Sequence, residues 1–101
     1  PLVCGKRELT EETGMQAAEY ISLGELYPSP GYTDEVIYMY LAVKLEQAVQ
    51  RLDEDEFLDV EKIPLDQAVQ MILRGEIKDA KTQAAILKVK YLLEQQKQEV
   101  L

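Results

Sequence analysis

The sequence predicts a mixed α/β domain of the α+β kind, built as helix, strands and then two helices. Three observations predict it. A helical segment with a glycine stop opens the chain, two β-rich runs flank a double-proline turn, and two segments of helical periodicity close it.

The first element is a helix over residues 1–13. Pro1 is tolerated in a first turn, and Gly14 stands where a left-handed residue ends a helix. Leu2, Val3 and Leu9 are its candidate apolar face. Residues 20–27 follow as a strand, with Ile21 and Leu23 at period two. Pro28, Ser29, Pro30 and Gly31 then require a turn or rigid loop. Residues 35–45 form a near-continuous apolar run rich in β-branched and aromatic side chains, the pattern of a strand covered on both faces. Residues 46–56 are polar and acidic and read as a loop, and residues 57–63 as a short third strand. Pro64 opens a helix with Ala68, Val69, Ile72 and Leu73 on one side and Gly75 as its stop. Asp79 is the expected N-cap of a last helix reaching about Glu99. Its positions Ala85, Ile86, Val89, Leu92 and Leu93 repeat at helical spacing and predict a buried stripe.

Composition removes several functions. The chain has 101 residues, 11 basic and 19 acidic, a net charge of −8 and no histidine. A histidine-dependent triad, a Cys-His dyad and a histidine-bound zinc are therefore impossible within it. The acidic balance argues against nucleic acid as a partner, because phosphate binding needs clustered Lys and Arg. The longest unbroken apolar run, residues 36–43, is too short to span a bilayer, so no membrane role is expected. One cysteine, Cys4, makes no internal disulfide, and no secretory h-region opens the sequence. Both features suit a reducing, cytoplasmic location.

Chemistry concentrates in residues 7–15. On a helix, Glu8, Glu11 and Glu12 stand at i, i+3 and i+4 and share a face. Like charges at that spacing repel by a few tenths of a kcal/mol per pair, roughly, and a divalent cation reverses the sign. Mg²⁺ and Mn²⁺ prefer such oxygen ligands. Arg7, four residues before Glu11, is placed to orient it through an ion pair. From spacing alone, a solvated acidic face is the plainer interpretation.

The segment R-E-L-T-E-E-T-G-M resembles the second half of the Nudix box, R-E-U-x-E-E-x-G-U with U apolar. Arg7, Glu8, Leu9, Glu11, Glu12, Gly14 and Met15 satisfy every specified position. The box should open with a glycine and a glutamate farther ahead of the arginine than the six residues that precede Arg7. The sequence thus reads as cut inside the motif, a single partial Nudix domain over residues 1–101. The resemblance implies an α/β/α sandwich with a mixed sheet, here lacking its N-terminal strands, which accounts for the thin three-stranded inventory. It also implies Mg²⁺ or Mn²⁺ held against a diphosphate, with Glu8 and Glu12 as principal ligands and Glu11 as a ligand or a residue supporting them.

Downstream residues resemble the ADP-ribose pyrophosphatases of that family. The stretch S-P-G-Y-T-D-E matches their S-P-G-x-x-x-E, and Pro30 stands 15 residues past Met15, where those enzymes carry a proline. The resemblance implies that Ser29, Pro30, Gly31 and Glu35 bind substrate. Tyr27 or Tyr32 is placed to stack on a ring, although taken singly each tyrosine reads as a core residue. In the acidic stretch 52–57 the resemblance implies a general base, Glu56 first and Glu54 second. The sequence D-A-K-T at residues 79–82 resembles the start of the family's last helix.

The expected activity is metal-dependent hydrolysis of ADP-ribose to AMP and ribose 5-phosphate by a homodimer. Alternatives are a Nudix hydrolase of another nucleotide sugar, or an inactive fragment that associates through its helices. If the 101 residues were the whole molecule, little turnover would be expected.

Overall fold

A computed structural model of the chain describes residues 1–47 and 61–99. The elements in order are α1 (Leu2–Thr13), β1 (Met15–Leu26), β2 (Ile37–Gln47), α2 (Leu65–Leu73) and α3 (Ala80–Glu99). The strands pair as a two-stranded antiparallel ribbon. This is the α+β order that the sequence predicts. The chain divides into two compact units, Pro1–Ser22 with Tyr40–Lys62 and Leu23–Met39 with Ile63–Leu101.

In the first unit, α1 ends as its glycine requires. Gly14 adopts φ 71° and donates its N–H to the Thr10 carbonyl at 2.9 Å, a left-handed cap. The joint to β1 is side-chain built: the Thr10 hydroxyl donates to the Met15 carbonyl at 3.1 Å, and the Met15 N–H donates to Thr13 Oγ1 at 3.1 Å. Leu2, Gly5 and Leu9 are half-buried, and a Cβ on Gly5 would lie 3.8 Å from the Tyr40 ring. Val3 does not join this face and is 82% exposed. At about 100° per residue, positions 2, 5 and 9 align while position 3 points a quarter-turn away.

Both strands differ from expectation. β1 starts at Met15 rather than residue 20, because Gly14 feeds the chain directly into the ribbon. Pairing carries residues of poor β propensity, such as Ala17 and Ala18, into the strand. A cross-strand ion pair, Lys44 Nζ to Glu19 Oε2 at 3.8 Å, joins the two strands there. β2 runs two residues later than expected at each end. It is not covered on both faces: Met39 is buried, whereas Tyr38 and Leu45 are exposed. An antiparallel ribbon tolerates one wet face, unlike the central parallel strand that its apolar run suggests. Lys44, at φ 57°, interrupts the extended backbone just before Leu45.

The second unit holds the buried apolar side chains of the described residues, Leu23, Met39 and Ala68. Pro64, at φ −55° and ψ 141°, precedes α2. Beyond its last turn Gly75 takes φ +77°, with Gly75 N–H donating to Ile72 O and Glu76 N–H to Met71 O. That pair of bonds is the Schellman arrangement, so the predicted stop holds. Leu73 was expected among the inward residues and is 71% exposed. It lies about a quarter-turn from the centre of the arc that Ala68, Val69 and Ile72 share.

Helix α3 packs on α2 and begins at Asp79 as predicted. Ala85, Ile86 and Val89 are half-buried, while Leu92 and Leu93 are exposed rather than part of a buried stripe. The start of α2 does lie opposite this part of α3: Lys90 pairs with Asp66, and Leu93 borders an open pocket with Pro64 and Leu65 instead of a packed seam. The expected third strand falls mostly outside the described residues, and the described part, residues 61–63, carries no strand. Of the expected acidic loop, Glu46 and Gln47 continue β2, and the remainder lies outside the described residues.

Candidate functional site

The residues with chemistry form two groups, one in each compact unit. The first is the exposed arc of α1. Glu8, Glu11 and Glu12 are all exposed; Glu11 stands farthest from the half-buried positions, whereas Glu12, seven residues from Gly5, stands at their edge. Arg7 does meet Glu11, with Nε 3.7 Å from Oε1. Its side chain and that of Glu11 are 68% and 55% exposed, so the pair adds little stability. Sequence reasoning missed a neighbour, Cys4. Its thiol donates to Glu8 Oε1 at 3.7 Å, and Arg7 Nη2 donates to Cys4 Sγ at 3.8 Å. The signal was available, since Cys4 precedes Glu8 by one helical turn.

Among the described residues, no three acidic or thiol side chains converge closely enough to hold an ion. The three glutamates nonetheless offer only carboxylate oxygens, from one turn and open to solvent. A donor set of that chemistry fits a hard divalent cation, whose waters and substrate oxygens complete the shell.

The second group lies on the turn between β1 and β2. The Ser29 carbonyl accepts the N–H groups of Tyr32 and Thr33, each at 3.0 Å. Pro30 is bridged to Thr33. Gly31 takes φ +97°, a backbone that strains any residue with a Cβ. The Glu35 N–H donates to Thr33 Oγ1 at 3.3 Å. Ser29, Pro30, Gly31 and Glu35 are therefore gathered on one short, hydrogen-bonded turn, all of them exposed. Tyr27 and Tyr32 are not core residues. They are 61% and 93% exposed, like the rest of the turn that carries them. Tyr27 keeps a contact of its own, its hydroxyl donating to Glu25 Oε2 at 3.5 Å. Glu54 and Glu56, the candidate bases, lie outside the described residues.

A helix of exposed glutamates ended by a left-handed glycine is what the R-E-L-T-E-E-T-G-M segment requires, and comparison with known proteins agrees. The NUDIX domain family matches residues 1–86. The chain belongs to the NUDIX domain family. Among its relatives, the ADP-ribose pyrophosphatase of Bacillus subtilis (strain 168) is 40% identical over 95 residues, covering 90% of this chain and 51% of that protein. A GDP-mannose pyrophosphatase of Enterobacter sp. (strain 638) is 41% identical over 97 residues, covering 91% and 48%. The methanol dehydrogenase activator of Bacillus methanolicus is 41% identical over 94 residues, covering 91% and 49%. The NUDIX chain thus spans about half the length of the curated relatives it matches.

Proposed function

We propose that this NUDIX chain carries the metal-binding helix and the substrate turn of a hydrolase that cleaves the diphosphate of ADP-ribose, giving AMP and ribose 5-phosphate. The observation that carries the reading is the α1 arc, where Glu8, Glu11 and Glu12 face solvent from one turn beside Arg7. These glutamates would hold the divalent cation, Mg²⁺ or Mn²⁺, with Arg7 orienting Glu11. When bound, such an ion neutralises diphosphate charge and acidifies water. The turn with Ser29, Pro30, Gly31 and Glu35 would contact the sugar end of the substrate, and Glu56 or Glu54 would take the proton from the attacking water.

A second substrate is supported by a specific observation: relatives at similar identity are named as GDP-mannose pyrophosphatases. The shared chemistry is a nucleoside diphosphate sugar. The resemblance further supports a homodimer in the cytoplasm.

Incubation of a complete chain with ADP-ribose or GDP-mannose and Mg²⁺, followed by chromatography of the nucleotides, tests the reading. AMP from ADP-ribose, lost in Glu12→Gln, is the expected result. GMP from GDP-mannose alone would reassign the substrate. No product from either, or activity indifferent to Glu12→Gln, overturns the enzymatic account.

A further inference from the structure

Strand β1 bends at Gly24, whose φ of +94° lies in the left-handed region. One residue earlier, the buried Leu23 presents its carbonyl to the Lys88 ammonium, which donates to it at 2.7 Å. Lys88 sits on α3, 65 positions along the chain. A Cβ on Gly24 would stand 3.6 Å from the same ammonium, so the bend and the amine adjoin. The turn bearing Ser29, Gly31 and Glu35 starts three residues past the bend, in the same compact unit. A two-stranded ribbon is marginal by itself, and a charged donor makes the stronger class of hydrogen bond.

We propose that Lys88 is a positioning residue for this turn. By holding the bend at Gly24 from α3, it sets the direction in which β1 delivers Ser29 to Glu35. Lys88 touches no substrate; it acts through the Leu23 carbonyl. The consequence for ligand binding rests on the substrate reading above, whereas the tether itself does not.

The test separates the two. In a Cys4→Ser background, spin labels at Tyr32→Cys and Gln95→Cys report the distance from the turn to α3. A single narrow distribution is expected for the parent, a broadened one for Lys88→Met, and recovery of the narrow one in Lys88→Arg. If Lys88→Met loses its helical circular dichroism, Lys88→Gln, whose shorter amide cannot span the gap, takes its place. An unchanged distribution overturns the tether. Calorimetric titration with ADP-ribose in metal-free buffer, where no hydrolysis intrudes, then reads the consequence, an expected rise in Kd of about tenfold in Lys88→Met and return in Lys88→Arg. Equal Kd in the parent and Lys88→Met overturns positioning for binding. Absence of binding to the parent overturns the substrate reading, while the label distances still decide the tether.

Discussion

Asp79 caps α3 through Thr82: Oδ2 of the aspartate accepts the Thr82 backbone N–H at 3.0 Å and the Thr82 hydroxyl at 2.6 Å. The Lys81 ammonium adds a bond to Oδ1 at 2.8 Å. Together, with Lys81 the largest influence and Thr82 next, these contacts lower the Asp79 carboxyl from 3.8 to about 2. A depressed acid stabilises the fold above its ordinary value and loses that contribution as pH falls through its folded one. The start of α3 is therefore expected to loosen between about pH 4 and pH 2. An NMR titration of the Thr82 amide checks it, with a midpoint near 2 in the parent. Asp79→Asn, which keeps an acceptor without a charge, should abolish the step.

The α1 glutamates make a metal prediction. Single Glu8→Gln and Glu12→Gln changes keep the helix and remove one anionic oxygen donor. Each is expected to weaken Mn²⁺ binding about ten- to a hundredfold, the range seen when a metal site loses supporting groups. Paramagnetic resonance of free Mn²⁺ measures it directly. Equal affinity in the parent and both variants would remove these residues from the ligand set.

Arg7 separates orientation from stability. Because the pair with Glu11 is largely exposed, Arg7→Met should change unfolding free energy by no more than about 0.5 kcal/mol in a urea melt. If the guanidinium orients Glu11 for metal or substrate, hydrolysis should fall well beyond that. A matching small loss in both measurements would make the ion pair an ordinary surface contact.

Gly14 is a backbone test. Its φ of 71° is one an L side chain adopts at a cost, so Gly14→Ala should destabilise by about 1–2 kcal/mol. Gly14→Asn should lose less, since asparagine tolerates this region. Urea midpoints for the three proteins give the ranking.

Leu23 and Met39 are two of the three buried apolar residues among those described. Leu23→Ala is expected to cost about 2–5 kcal/mol, a large share of a small domain's stability. Thermal unfolding by circular dichroism would show it. Val3→Ala, at an 82% exposed site, should leave the melt unmoved and serves as the control.

Local chemistry was legible wherever a signal depends on neighbours in the chain. Gly14 and Gly75 stop helices because left-handed backbone favours glycine, and Asp79 caps because its carboxylate reaches only two or three residues ahead. The i, i+3, i+4 spacing of Glu8, Glu11 and Glu12 puts them on one arc under any helix geometry, and Arg7 reaches Glu11 for the same reason. These follow from covalent connectivity and sterics, which composition and order specify.

What the tertiary structure alone decided concerns coverage and long-range meeting. Leu92 and Leu93 keep perfect helical spacing yet lie exposed, and Leu93 borders an open pocket with Leu65 of α2 instead of a packed seam. β1 begins early because a partner strand accepts residues whose own propensities are poor. The turn carrying Tyr27 and Tyr32 is exposed along its length, so aromatic side chains that pattern assigns to a core face water. Lys88 finds the Leu23 carbonyl across 65 positions, a contact no window of sequence contains. Burial and distant pairing are properties of which surfaces meet, and the chain specifies them only collectively.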